Sequence, residues 1–310
     1  METLEANKFI YKKNIDKKTK SNSPLQRPTI LFFNPNLYFT MKNYFKIAAM
    51  ALGLLFVTSC SHDHEEDLSG TGKLELSFDH GYKGNTLILG ANNSANSLGE
   101  TLKITRFNYI ISNIRLHKTD GTIFTYPKND SYFIINSELN NLDIDLTNVP
   151  AGDYNKITFG VGVDQEKYLT GQTEQQAFWD LAQTQAMTWA WITGYKFINF
   201  EGTFTSSEVT GERNFKVHMG SHGTALDNYR EQTISFPTVA KVRRDNTPHA
   251  HFLVDANILL DGTNKLKLSE ALNSGGSAII MVNAEKAPKI ADNAKSMFVV
   301  DHIHQNGHSH

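Results

Sequence analysis

A single cysteine, Cys60, stands among the 310 residues. One thiol closes no intrachain disulfide and supplies no multi-thiolate metal site, which excludes a disulfide framework, a Cys-x-x-Cys redox motif and a zinc ribbon. Long apolar runs are missing too. The one stretch of note, Ile47 to Phe56, has ten residues, about half of what a bilayer-spanning helix requires. Basic charge is scarce beyond the first segment. Of 30 Lys/Arg and 32 Asp/Glu, residues 1–59 hold nine and three, which leaves 21 and 29 in residues 60–310, a balance of −8. An acidic chain lacks the positive footprint that nucleic-acid binding needs. There is no hydrolase elbow and no phosphate-cradling glycine loop. Gly160-Val161-Gly162 lies inside a strand-like run, without the following helix that a dinucleotide site requires. No internal repeat and no enzyme signature emerge, so the chain is expected not to be an enzyme.

What is present begins with an export signal. Met41-Lys42-Asn43-Tyr44-Phe45-Lys46 is a basic leader, Ile47 to Phe56 an apolar core, and Val57-Thr58-Ser59-Cys60 resembles the lipobox of bacterial lipoproteins. Residues 41–59 are therefore expected to be a lipoprotein signal peptide, with Cys60 lipidated and tying the protein to a membrane. Residues 1–40 precede that signal and are set aside as a mis-assigned start or a disordered extension. Residues 60–71, with His62, His64 and a run of acids, form a polar tether. An acidic run behind a lipidated cysteine resembles the surface-export signals of some Gram-negative lipoproteins. The expected location is the cell envelope, as an outer-membrane lipoprotein that is periplasmic or surface-exposed. At the other end, residues 301–310 carry His302, His304, His308 and His310 as a second His-rich tail, a compositional hint of metal binding.

Residues 72–300 are expected to form one all-β domain, a single β-sandwich of Ig-like, Greek-key type with one or two short helices in loops. Strand-like runs dominate: Lys73–Asp79, Thr105–His117, Tyr132–Ile135, Leu142–Leu146, Tyr154–Val163, Tyr195–Phe204, Phe215–Met219, Gln232–Phe236, His251–Leu260 and Ala278–Val282. Turn signals such as Asp120-Gly121, Pro150-Ala151-Gly152 and Gly275-Gly276 separate them. Thr173–Gln185 is the best helix, with Ala177, Phe178, Leu181 and Ala182 as its apolar stripe. Shorter helical stretches are expected near Leu268–Leu272 and over Ala284–Lys295, the latter despite Pro288.

The run Met187-Thr-Trp189-Ala-Trp191-Ile-Thr-Gly194-Tyr195-Lys196-Phe197-Ile-Asn199-Phe-Glu201-Gly202 carries two of the three tryptophans. If it is extended throughout, Trp189, Trp191, Tyr195 and Phe197 share one face, continued by Asn199 and Glu201. The run resembles a motif of the MbnP-like family of exported, methanobactin-associated, copper-linked proteins. Further blocks match in the same order: Leu76 to His80, Phe107 to Leu116, Val149 to Tyr154, Phe159 to Asp164, and His218-Met219-Gly220-Ser221. The resemblance implies an association with copper and with a di-haem, peroxidase-like partner that can oxidise a tryptophan to kynurenine. The aniline nitrogen then serves as a copper ligand beside histidines, which makes Trp189 and Trp191 the candidates for oxidation. A Trp-x-His sequence, the clearest local sign of such a site, is absent.

Imidazole suits copper, zinc and nickel, and thioether favours cuprous ion. Within the domain the candidate metal ligands are His80, His218, His222, His249 and His251. His249 and His251 are two apart and would point the same way from a strand. His218 and His222 flank a strand end, where ligands commonly sit. Three functions follow: a protein that binds or hands on copper, a metal-free envelope binding or structural module, and a substrate of a di-haem tryptophan-oxidising partner.

Overall fold

The computed structural model describes residues 68–171 and 173–306. In chain order its strands are β1 (Thr71–Tyr82), β2 (Asn85–Thr86), β3 (Glu100–Lys118), β4 (Ile123–Thr125), β5 (Tyr132–Asn136), β6 (Asp143–Pro150), β7 (Gly152–Val161), β8 (Ile198–Ser206), β9 (Arg213–Met219), β10 (Arg230–Val242), β11 (His249–Asp255), β12 (Ala278–Ile280) and β13 (Phe298–His304). The α-helices are α1 (Gln165–Leu169), α2 (Gln176–Thr184), α3 (Ile258–Asp261) and α4 (Lys286–Ala294). Cys60, the signal peptide 41–59, the extension 1–40, the tether as far as Asp67, and His62, His64, His308 and His310 lie outside the described residues. Among the described residues no helix is long and apolar enough to cross a membrane.

Two sheets make the body. The smaller has the order β13-β11-β1-β2, with β6 also paired to β1; the larger runs β10-β7-β3-β8-β9-β12, with β4 and β5 on β3. Both are mixed, because β1 pairs parallel with β11 and β9 pairs parallel with β12. Alternation along β1 turns Leu74, Leu76, Phe78, His80 and Tyr82 inward. Phe78 stacks on Phe252 at 4.9 Å and meets Tyr109 of the other sheet edge-on at 6.3 Å. Phe159 meets Phe252 at 5.9 Å and Phe298 at 5.1 Å. Aromatic rings from the two inner faces thus interdigitate, and the all-β sandwich expected from the sequence is the fold observed.

The departures have local causes. The run His251–Leu260 is not one strand: β11 stops at Asp255, whose Oδ1 accepts from the Asn257 N–H at 2.9 Å and turns the chain toward α3. Helix α2 buries Trp179 and Ala182 and leaves Ala177 and Leu181 exposed. The stripe is rotated because Trp179 packs edge-on against Tyr195, ring centroids 5.1 Å apart. Pro288 sits in the first turn of α4, where no intrahelical N–H is needed. The expected end of the domain at 300 falls inside β13, which continues to His304 and pairs with β11. His302 and His304 are therefore part of the sheet and not of a tail.

The tryptophan run also differs. Only from Ile198 is it a strand. Residues 187–196 instead double back, with Lys196 N–H on Met187 O at 2.7 Å and Trp189 N–H on Gly194 O at 3.2 Å. Gly194 has φ +149°, which glycine tolerates without penalty. The reversal breaks the expected shared face: Trp189 is 5% exposed, whereas Trp191, near the tip, is 62% exposed. Trp189→Ala should cost about 3–5 kcal/mol, as for other buried tryptophans. Trp191→Ala should stay within about 0.5 kcal/mol. Thermal melts that move equally for both would contradict this split.

Candidate metal centres

The five histidines singled out from the sequence lie in three places. His80 faces the core. Its Nε2 shares a 3.0 Å hydrogen bond with Tyr109 Oη, and its ring packs 4.7 Å from Phe107. Burial lowers its pKa to about 4. It is thus a neutral core histidine, set apart from the other four. A folded-state value below the unfolded one of about 6.5 means that the unfolded chain takes up the proton first. Stability is full above pH 6.5 and falls as the pH drops toward 4, by about 3 kcal/mol from this residue. His80→Gln should flatten that part of the stability profile; denaturant titrations with equal slopes in parent and variant would refute the assignment.

His218 and His222 meet the tryptophans at one corner. β9 pairs His218 with Asn199 of β8, and the His218 Nε2–H donates to Glu201 Oε1 at 2.6 Å. Glu201 Oε2 in turn accepts from Arg106 Nη1 at 3.0 Å. Burial lowers the His218 pKa, with Glu201 opposing it only in part. The Glu201 carboxylate pins the proton of the neutral ring on Nε2 and leaves the lone pair on Nδ1, the way outer carboxylates orient metal-binding imidazoles. Trp189 lies 5.7 Å from the His218 ring and 5.2 Å from His222. Trp191 stacks over His222 at 6.5 Å and touches Trp189 at 5.6 Å. Both ring nitrogens of His222 are shielded from solvent, and neither has a hydrogen-bond partner among the described residues. Shielded nitrogens with no partner are costly unless something else binds them.

The local sequence builds this corner. Phe197 N–H reaches Met219 O at 2.6 Å and ties the tryptophan loop to the end of β9. Trp189 Nε1–H donates to Tyr195 O at 3.1 Å. At Gly220 a Cβ would stand 2.3 Å from Tyr195 O, so only glycine lets the two segments close. Lys196 Nζ covers the Trp189 ring at 5.9 Å.

His249 and His251 do point the same way, outward from the smaller sheet. The register brings them against β13 as His249↔His304 and His251↔His302. Ring centroids are 4.1 Å apart for His249–His251, 4.5 Å for His251–His302 and 4.6 Å for His302–His304. Ligand atoms of His251, His302 and His304 all lie within 4.8 Å of one another. On the β1 side, Ser77 Oγ donates to Asp143 at 2.5 Å and so accepts from His249 Nε2–H at 2.5 Å. Burial, then the neighbouring His249 and His302, hold the His251 pKa down. His302 and His304 were missed as part of the fold. Their signal was the strand-like run Phe298-Val-Val-Asp-His302-Ile-His304, whose i, i+2 histidines match those of β11; a register shift between the pairs Phe252–Val300 and His251–His302 turns them outward. Glu201, Asp79 and Asp301 were missed because an orienting carboxylate leaves no pattern of its own.

Comparison with known proteins adds the following. A family model described as MbnP matches residues 71–282, a span that holds the tryptophan corner and stops short of β13. Among solved structures, MbnP from Methylosinus trichosporium is similar, with 15% identity, 74% of this chain and 98% of that chain covered, and a TM-score of 0.44. No curated protein matches.

Proposed function

The chain belongs to the MbnP family, and from that premise we propose that it is a cell-envelope protein that holds copper, or hands it on, without turning over a substrate. His218 and His222 are the ligands in this proposal, with Trp189 in ring contact with both. The observation that carries it is His222: an imidazole stacked on Trp191 and tilted against Trp189, with both ring nitrogens shielded and unbonded among the described residues. An imidazole set with a carboxylate behind one ring suits copper. Bound copper would supply a soft, exchangeable ion that can pass to another carrier. His218 holds its proton at Nε2 on Glu201, while the Trp189 ring packs against both imidazoles. His80 takes no part, because its Nε2 is used by Tyr109.

A second reading, that the protein is the substrate of a di-haem tryptophan-oxidising partner, is favoured by Trp191. Its ring is open to solvent and in contact with buried Trp189. The oxidised residue would then be Trp191, the one a partner can reach. Lipidated Cys60 would keep the protein at the outer membrane. The test is copper analysis of the full chain purified from its native envelope, with mass measurement of the peptide holding Trp189 and Trp191. About one copper per chain is expected. A copper-free protein with an unmodified peptide would sink both readings and leave the metal-free module.

A further inference from the structure

The outer face of the smaller sheet carries chemistry that the tryptophan corner does not use. We propose that His251, His302 and His304 form a second metal site, for a divalent first-row cation such as zinc, on the exposed face of β11 and β13. The three donors come from two strands paired in register, so the backbone ladder fixes their spacing. His302 Nε2 lies 3.0 Å from His304 Nε2. Two nitrogens bound to one tetrahedral zinc at about 2.0–2.1 Å each stand roughly 3.3 Å apart, so this pair needs little movement and His251 closes from within 4.8 Å.

The surroundings match a ligand set. Asp301 Oδ2 accepts from His302 Nδ1 at 2.7 Å, which places the proton on Nδ1 and directs the Nε2 lone pair at His304. Asp79 Oδ2 stands 3.8 Å from His251 Nδ1. A carboxylate behind the ring is the outer-shell arrangement of histidine metal sites. The donors are nitrogen only, with no thiolate or thioether, which suits a borderline divalent ion better than a cuprous one. His251 is buried while His302 and His304 are exposed, so three imidazoles leave a fourth position for water on the solvent side, as in three-histidine zinc centres. His249, its ring 4.1 Å from His251 and its Nε2 held by Ser77, supports the cluster from behind.

The test uses the full, metal-free chain titrated with Co2+, followed by visible absorption and then displaced with Zn2+. The expected result is one tightly held Co2+ with the intense bands of low coordination, displaced by one Zn2+. The double variant His302→Ala/His304→Ala should weaken uptake at least ~10-fold, and Asp301→Asn by roughly 10-fold through the outer shell alone. A chain with His62, His64, His308 and His310 all replaced by alanine should still bind, as should His218→Ala/His222→Ala. Unchanged uptake after loss of His302 and His304 overturns the proposal, and so does loss of uptake on removing the terminal histidines or the corner pair. Both substituted strand positions are exposed, and circular dichroism of the metal-free variants checks that the sheet is intact.

Discussion

Replacing His218 and His222 together by alanine should reduce copper affinity by ~100-fold or more, since an imidazole that binds the ion directly should count for at least as much as the 10- to 100-fold of an orienting group. The two single variants should differ in what else they do. His222 makes ring contacts but no side-chain hydrogen bond among the described residues, so His222→Ala should leave the copper-free protein within about 1 kcal/mol of the parent. Loss of copper without loss of stability marks a ligand. His218→Ala removes the 2.6 Å partner of Glu201, yet Glu201 keeps Arg106 at 3.0 Å, so no buried charge is stranded. Isothermal titration with cuprous ion held by a competing chelator, run beside thermal melts, measures both quantities. A double variant that still holds one copper with parental affinity would show that the corner is not the site.

Gly202→Ala is expected to be the most damaging small change in the fold. A Cβ there would stand 2.1 Å from Lys103 O and 3.0 Å from Ile104 Cα, both backbone atoms of the neighbouring strand. The pairing of β3 with β8 slips between Ile104 and Arg106, and Gly202 is the residue opposite that slip. A side chain could rotate away; a carbonyl in a ladder cannot. The expected cost is about 3 kcal/mol or more, which for a domain of this size lowers the melting midpoint by roughly 10 °C. Gly223→Ala is the control. Its φ is +62° but nothing lies within 4 Å, so only the backbone penalty of about 1 kcal/mol applies. Equal losses in the two variants would refute the close-approach argument.

The difference between Gly202 and Trp191 shows what could be seen in the chain. Strand-forming runs are local, and period-two alternation with glycine and asparagine turns reveals them, so nearly every long strand was legible. The direction of a side chain at a reversal is not local. Trp191 faces outward because Lys196 and Met187 pair across the loop, a bond that no periodicity encodes. The copper corner was half legible. His218, His222 and both tryptophans can be named from the chain, but no Trp-x-His pattern links them, because the neighbours are about thirty residues apart and meet through β8 and β9. The histidine face of β11 could be read for two of its four members. The other two sit at the start of the His-rich segment 301–310, whose composition resembles a tail, and their pairing with His249 and His251 places them in the sheet.

The parallel pairing of β1 with β11 has a kinetic side. β1 opens the domain, and its partner, starting at His249, arrives only after most of the domain's chain has been made. Contacts of such sequence separation close late and slow the folding reaction. Until then β1 can hold β6 on one edge while its other edge stands bare, the condition in which unfinished sheets aggregate. β13 can add only once β11 is in place, so the smaller sheet is finished from its C-terminal end, and the His251–His302–His304 cluster exists only in molecules that have completed the last pairing.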